Sequence, residues 1–170
     1  MILGMSVHAF TVVHVVISLL GILSGAVVLV GMFSSRRLAG WTLLFLATTV
    51  LTSATGFFFP RDRILPSHIV GVISLVVLAI AILALYAYRL AGAWRWIYVT
   101  GAMLALYLNV FVAVVQAFLK FPFLNALAPT QSEPQFLIAQ VAVVTIFILL
   151  GIVAVRSFHP GANAMTSGSL

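Results

Sequence analysis

The sequence predicts an all-α membrane protein: a bundle of five transmembrane helices, with the N-terminus outside and the C-terminus in the cytoplasm. Three observations lead there. Of 170 residues, 64% are hydrophobic and 6% charged, with a mean hydropathy of +1.30, whereas a water-soluble domain carries about 25% charged residues. The apolar residues form continuous blocks of the length that a helix needs to cross ~30 Å of hydrocarbon, roughly 20 residues. They do not form the ~10-residue alternating segments of a membrane β-barrel. The basic residues fall between the blocks, unequally on the two sides. With no cysteine in the chain, disulfides and thiolate metal sites are excluded.

The first span runs over about 7–33 and stops at Ser34-Ser35-Arg36-Arg37. It has no Lys or Arg in its first residues and is too long for a secretory h-region, so a retained helix is expected. The second, about 41–59, ends at Pro60 before Arg61-Asp62-Arg63. The third, about 66–88, opens on Pro66, favoured in a first helical turn where its missing N–H is harmless, and closes at Arg89. The fourth covers about 94–120 and the fifth about 133–156. One transmembrane domain, 1–158, is thus expected, followed by a disordered Gly/Ser/Asn tail over 159–170.

An odd number of spans puts the termini on opposite faces. One face receives five basic residues, Arg36, Arg37, Arg89, Arg95 and Arg156, and the other three, Arg61, Arg63 and Lys120. The positive-inside rule makes the five-charge face cytoplasmic. Trp41, Trp94 and Trp96 lie at that same face, where indole rings suit the headgroup region. The net charge of +6 is scattered singly through short loops, which suits topology marking and attraction to anionic lipid. Nucleic-acid binding is excluded as a reading, and membrane lipids are the expected partners.

Strongly polar side chains inside lipid are expensive and mark candidate sites. Thr11, His14, Ser18, Gly21 and Gly25 step by three and four along the first span, so they share a face. Gly21 and Gly25 form a GxxxG pair, read as a helix-packing surface that also offers a route to a homo-oligomer. The second span places Thr48, Thr52 and Thr55 on one face, with Thr49, Ser53 and Gly56 beside it. Their hydroxyls can bond the carbonyl four residues back and need no ligand, or they can line a pocket. Asn109 and Gln116 share a face of the fourth span, as Glu133 and Gln140 do in the fifth. Such amides either join helices or hold a ligand. Thr130–Glu133 and Ser132–Gln135 both match a capping box, and a carboxylate there meets the positive end of the helix dipole. His68 opens the third span; His8 and His159 are read as exposed.

Because successive spans alternate direction, His14, Thr52, Thr55, His68, Gln116, Glu133 and Gln140 all fall in one half of the bilayer, with Asn109 nearer the middle. At ~1.5 Å per residue, Gln140 is about 10 Å below Glu133 and His14 lies at a similar depth below Val7. The other half reads as almost wholly Leu, Ile, Val, Ala and Phe. The expectation is a polar chamber in the outer half, sealed at the other end by apolar packing, with these eight residues as ligand-binding candidates.

No catalytic constellation emerges. A bis-histidine b-type haem needs two facing imidazoles; only His14 and His68 qualify, at depths that differ by about two helical turns. Haem b, or a quinone-binding redox role, is kept as the alternative, and no cofactor is expected. A metal hydrolase would have only His14, His68 and Glu133, without HExxH-like spacing. No GxSxG elbow, P-loop or dinucleotide glycine pattern occurs. A transporter built on inverted repeats needs an internal echo that five spans lack, which leaves transport to an oligomer. The favoured reading is a small non-enzymatic protein that binds a ligand, an ion or a partner membrane protein.

The segments Thr52-Ser-Ala-Thr-Gly-Phe-Phe-Phe-Pro60, Pro66-Ser-His68, Leu108-Asn-Val-Phe-Val112 and Leu127-Ala-Pro-Thr-Gln-Ser-Glu-Pro134 resemble those of uncharacterised small bacterial integral-membrane proteins. The resemblance spans most of residues 7–158. It implies a multi-pass protein of a bacterial inner membrane and carries no catalytic role.

Overall fold

A computed structural model of the chain describes residues 1, 2, 4–59 and 66–160. The expected basic loop Arg61-Asp62-Arg63 and the tail beyond residue 160 lie outside these residues. The helices are α1 Val7–Phe33, α2 Ala39–Thr55, α3 Pro66–Ile82, α4 Trp94–Lys120, α5 Pro122–Leu127 and α6 Pro134–Ser157. A 3₁₀ turn, Gly56–Phe58, prolongs α2, and a wider turn, Leu83–Ala87, prolongs α3. With those prolongations counted, five helices are long and apolar enough to cross a membrane. Among the described residues there is no strand, only an isolated bridge between Ile2 and Met5.

Local chemistry sets the helix ends. Ser6 caps α1, its hydroxyl accepting the Ala9 N–H at 3.1 Å. At the other end Ser35 takes φ 52°, while the Arg36 N–H donates to the Gly31 carbonyl and the Ser35 N–H to that of Met32. This Schellman closure normally favours glycine at the left-handed position. Pro122 and Pro134 occupy first-turn positions of α5 and α6. The short α5 was not expected from the sequence, because six residues are too few to display a helical period.

Neighbouring spans run antiparallel. Descending α1 from Gly31 through Gly25 and Gly21 to His14 means ascending α2 from Leu38 through Phe45 and Thr48 to Thr55, each pair in contact. Around the bundle, α1 packs on α2, α2 on α3, α3 on α4, α4 on α6 and α6 on α1, and α4 also touches α1 across the ring. Small residues set the close approaches, as where Ala81 of α3 faces Gly101 of α4, with Ala84 and Ala105 fully buried nearby.

The hydrophobic core gathers in the half holding the end of α1 and the start of α4. It includes Met32, Phe45, Leu78, Leu85, Tyr98, Val99, Leu106 and Phe158. The expectation of an apolar seal there needs correction, because Ser24 and Thr42 are buried in it and Arg95 reaches into it. Ser24 satisfies itself by donating to the Leu20 carbonyl at 2.6 Å. Arg95 does more than mark topology: its Nη1 donates to the carbonyls of Val155 at 2.9 Å and Phe158 at 2.7 Å. The start of α4 therefore caps the end of α6. The His159 N–H adds a bond to Ser35 Oγ at 2.7 Å, fastening the same end of α6 to the α1–α2 turn.

Candidate functional site

The polar half is built on the α1–α2 contact. The hydroxyl of Thr55 donates to the Leu51 carbonyl at 2.6 Å. Its single hydrogen being used there, it can only accept from His14 Nδ1, 2.8 Å away. In that arrangement a neutral His14 ring carries its proton on Nδ1 and leaves a lone pair on Nε2. Phe59 holds the imidazole edge-on with centroids 5.2 Å apart, and Phe10 packs edge-on against Phe59 at 5.1 Å.

Two turns deeper, Gly21 makes a three-helix contact possible. A Cβ there would lie 3.3 Å from Asn109 Nδ2, Thr48 Oγ1 and Thr49 Oγ1. Asn109 of α4 donates to Thr49 of α2 at 3.2 Å, and Thr48 satisfies itself on the Leu44 carbonyl. One such interhelical bond in a membrane bundle contributes about 0.6 kcal/mol. Gly25 lies over Leu106 and Phe45, so the GxxxG face is occupied within the chain. The route to an oligomer through that face is thereby corrected: α2 and α4 already fill it.

Thr52 lies on α2 between the Thr49–Asn109 and Thr55–His14 pairs. Its hydroxyl is buried without a hydrogen-bond partner among the described residues, although the back-bond used by Thr48 and Thr55 is the usual resort of such a residue. Gln140 is buried in α6, its amide donating to the Phe111 carbonyl at 3.3 Å while Oε1 is left buried and unpartnered among the described residues. Buried polar atoms of this kind are costly and call for a physical account.

The remaining candidates sit elsewhere. Gln116 is exposed on α4. It does share the helical face of Asn109 but lies one turn from Lys120, where an amide meets the headgroup zone and needs no interior partner. His68 is half-buried with its ring 5.6 Å from Phe57. Glu133 directly precedes α6 and does not cap it. Instead Oε1 accepts from the N–H and hydroxyl of Thr130, and Oε2 from the Ser132 N–H. The Thr130–Glu133 capping box is seen in part, in the Thr130 N–H donated to Oε1, whereas Glu133, the residue before the first turn of α6, makes no side-chain bond to that helix and its carboxylate folds back to organise the loop.

Partial desolvation pushes the Glu133 carboxyl upward, but the bonds from Thr130, its own N–H and Ser132 outweigh it and hold the group below its ordinary 4.5. A depressed carboxyl stabilises the loop fully above its unfolded value and loses that contribution as pH falls through the folded one. Protection of the Thr130 and Ser132 amides over their intrinsic exchange is accordingly expected to be full above the ordinary 4.5 and to be lost, relative to Glu133→Gln, as the pH falls below it. Equal loss of protection in both proteins would contradict it.

Sequence reasoning missed Ser74, whose hydroxyl accepts from Ser53 at 2.9 Å in a buried α2–α3 contact. Its only signal was being the lone serine in the middle of the third span. Gln131, which donates to the Val115 carbonyl at 3.0 Å and ties the loop before α6 to α4, was read only as part of a cap. Among the described residues no group of three His, Asp or Glu side chains could hold a metal ion.

Compared with models of known protein families, with curated proteins and with solved structures, the chain matches none of them.

Proposed function

We propose that this chain is a non-enzymatic, multi-pass protein of a bacterial inner membrane, N-terminus outside, that holds a small hydroxyl-bearing amphiphile in the polar half of its bundle. The carrying observation is the buried, unpartnered Thr52 hydroxyl, set between two interhelical polar pairs. The loop charges, five against three, support the orientation.

The available atoms narrow the ligand's chemistry. Gln140 Oε1 and the Nε2 of His14 are acceptors, and the Thr52 hydroxyl either accepts or donates. A ligand head that donates O–H or N–H matches this set; a head with acceptors alone does not. An apolar body suits a site within the membrane and a polar head one open toward the N-terminal face, so a quinol or a hydroxylated lipid fits better than an ion. With formal charges confined to helix ends and loops, the interior has only neutral groups to offer.

Thr52→Val separates binding from folding, because it removes the hydroxyl and keeps the shape. An unsatisfied buried hydroxyl costs about 1–3 kcal/mol, so the ligand-free variant is expected to be more stable than the parent by a comparable amount. Its affinity for a short-chain quinol in detergent, read by titration calorimetry, should fall about tenfold, the equivalent of one lost hydrogen bond. Unchanged affinity would sink the proposal.

A further inference from the structure

A second feature lies in the opposite half of the bundle. Between α4 and α6 lies a groove of about 480 Å³ lined by Leu104, Tyr107, Phe147, Ile152 and their neighbours, with Thr100 and Arg156 toward its headgroup end. That volume is in the range of small-molecule sites. The Tyr107 and Phe147 rings meet edge to face at 5.7 Å near the middle of the membrane. Along α6 the groove runs from Val144 to Arg156, ~18 Å at ~1.5 Å per residue. That is close to one leaflet of a hydrocarbon core of about 30 Å.

We propose that this groove holds one acyl chain of an anionic phospholipid, with Arg156 against its phosphate. Charge complementarity carries the assignment. Arg95 spends its guanidinium on the end of α6, but Arg156 is exposed and makes no hydrogen bond or ion pair among the described residues. The one carboxylate among them, Glu133, lies at the far end of α6. An exposed guanidinium at the end of a membrane-spanning helix, with no carboxylate beside it among the described residues, is complementary to a lipid phosphate at the headgroup level. The Thr100 hydroxyl at the same end adds a donor for a phosphate or ester oxygen.

Gly151 is what keeps the groove open. A Cβ at this groove-lining position meets nothing within 4 Å, so a side chain starts from open space there. Gly151→Phe fills the acyl site, and Arg156→Gln removes the headgroup partner while leaving the apolar floor intact.

The test is native mass spectrometry of the full chain in detergent, supplied with phosphatidylglycerol or phosphatidylcholine of identical acyl chains. The parent should retain one phosphatidylglycerol about fivefold more readily than phosphatidylcholine, the preference expected of one basic residue at the membrane surface. Arg156→Gln should erase the preference and keep the basal lipid, Gly151→Phe should lose both, and inorganic phosphate should displace neither. Gly151→Val, with less added bulk, gives the same reading if the phenylalanine variant does not fold. Equal retention of the two lipids by the parent, full retention by the groove-filled variant, or displacement by phosphate would each overturn the assignment.

Discussion

Gly25→Leu should be the most damaging single change in the bundle. Even an added Cβ would stand 2.6 Å from Leu106 Cδ1 and 2.9 Å from the Phe45 ring. Leu106 can rotate away in part, but the Phe45 ring is 1% exposed in a close-packed core and has no free volume to enter. Overpacking of this kind costs about 1–3 kcal/mol, which Gly25→Ala should show, and leucine should exceed it by forcing α1 away from α2 and α4. A Gly40→Ala control meets nothing within 4 Å and should be neutral or stabilising by about 0.5–1 kcal/mol, since alanine restricts the unfolded chain. Thermal unfolding in detergent distinguishes them. A Gly25→Leu protein that melts with the parent would show that α1 does not pack at this register.

Arg95→Met should release the end of α6. It keeps the apolar stem of arginine and deletes the N–H donors to Val155 and Phe158. Hydrogen bonds from a charged donor contribute about 1.5–3 kcal/mol each, with the lower end apt for a half-buried guanidinium near the headgroups. α6 feels the loss sharply, because it is the least buried span and exposes Leu137, Ile138, Ile148, Leu149 and Ile152. Amide exchange over residues 154–159 should accelerate by at least tenfold, while that of α1 and α2 stays unchanged. Arg95→Lys should rescue only in part, since its ammonium keeps the charge and several N–H donors but sits on a shorter side chain than the Nη1 that reaches both carbonyls. Unaltered exchange at Phe158 would contradict the capping role.

The spans were legible because lipid leaves few options: continuous apolar blocks of this length must be helices, and Ser34-Ser35, Pro66 and Pro134 announce their ends. The Gly21/Gly25 face was legible as packing, since small residues four apart serve close approach whatever the partner. Which helix fills it was not, because a face carries no label for its neighbour. Gln116 and Asn109 show the same limit. Their seven-residue spacing places them on one face, but only the tertiary arrangement puts Asn109 against Thr49 and leaves Gln116 outside. Arg95 was read as a topology charge because its partners are backbone carbonyls some sixty residues away, and carbonyls are invisible in a sequence. The groove was hidden for a related reason: it arises between α4 and α6, and nothing in either helix's own sequence names the other as its neighbour.

The central claim, a polar interior at Thr52 that small molecules reach from one side, can be tested by cysteine labelling, since the chain has no native cysteine to interfere. Thr52→Cys in inverted and right-side-out vesicles would be exposed to a small, membrane-impermeant thiol reagent, with Ser24→Cys as the buried control in the apolar half. The account predicts that Thr52→Cys is modified only from the face bearing the N-terminus, that a short-chain quinol slows its modification, and that Ser24→Cys stays unmodified from either face. Failure to modify Thr52→Cys from either side, under conditions that label the exposed Gln116→Cys, would contradict it.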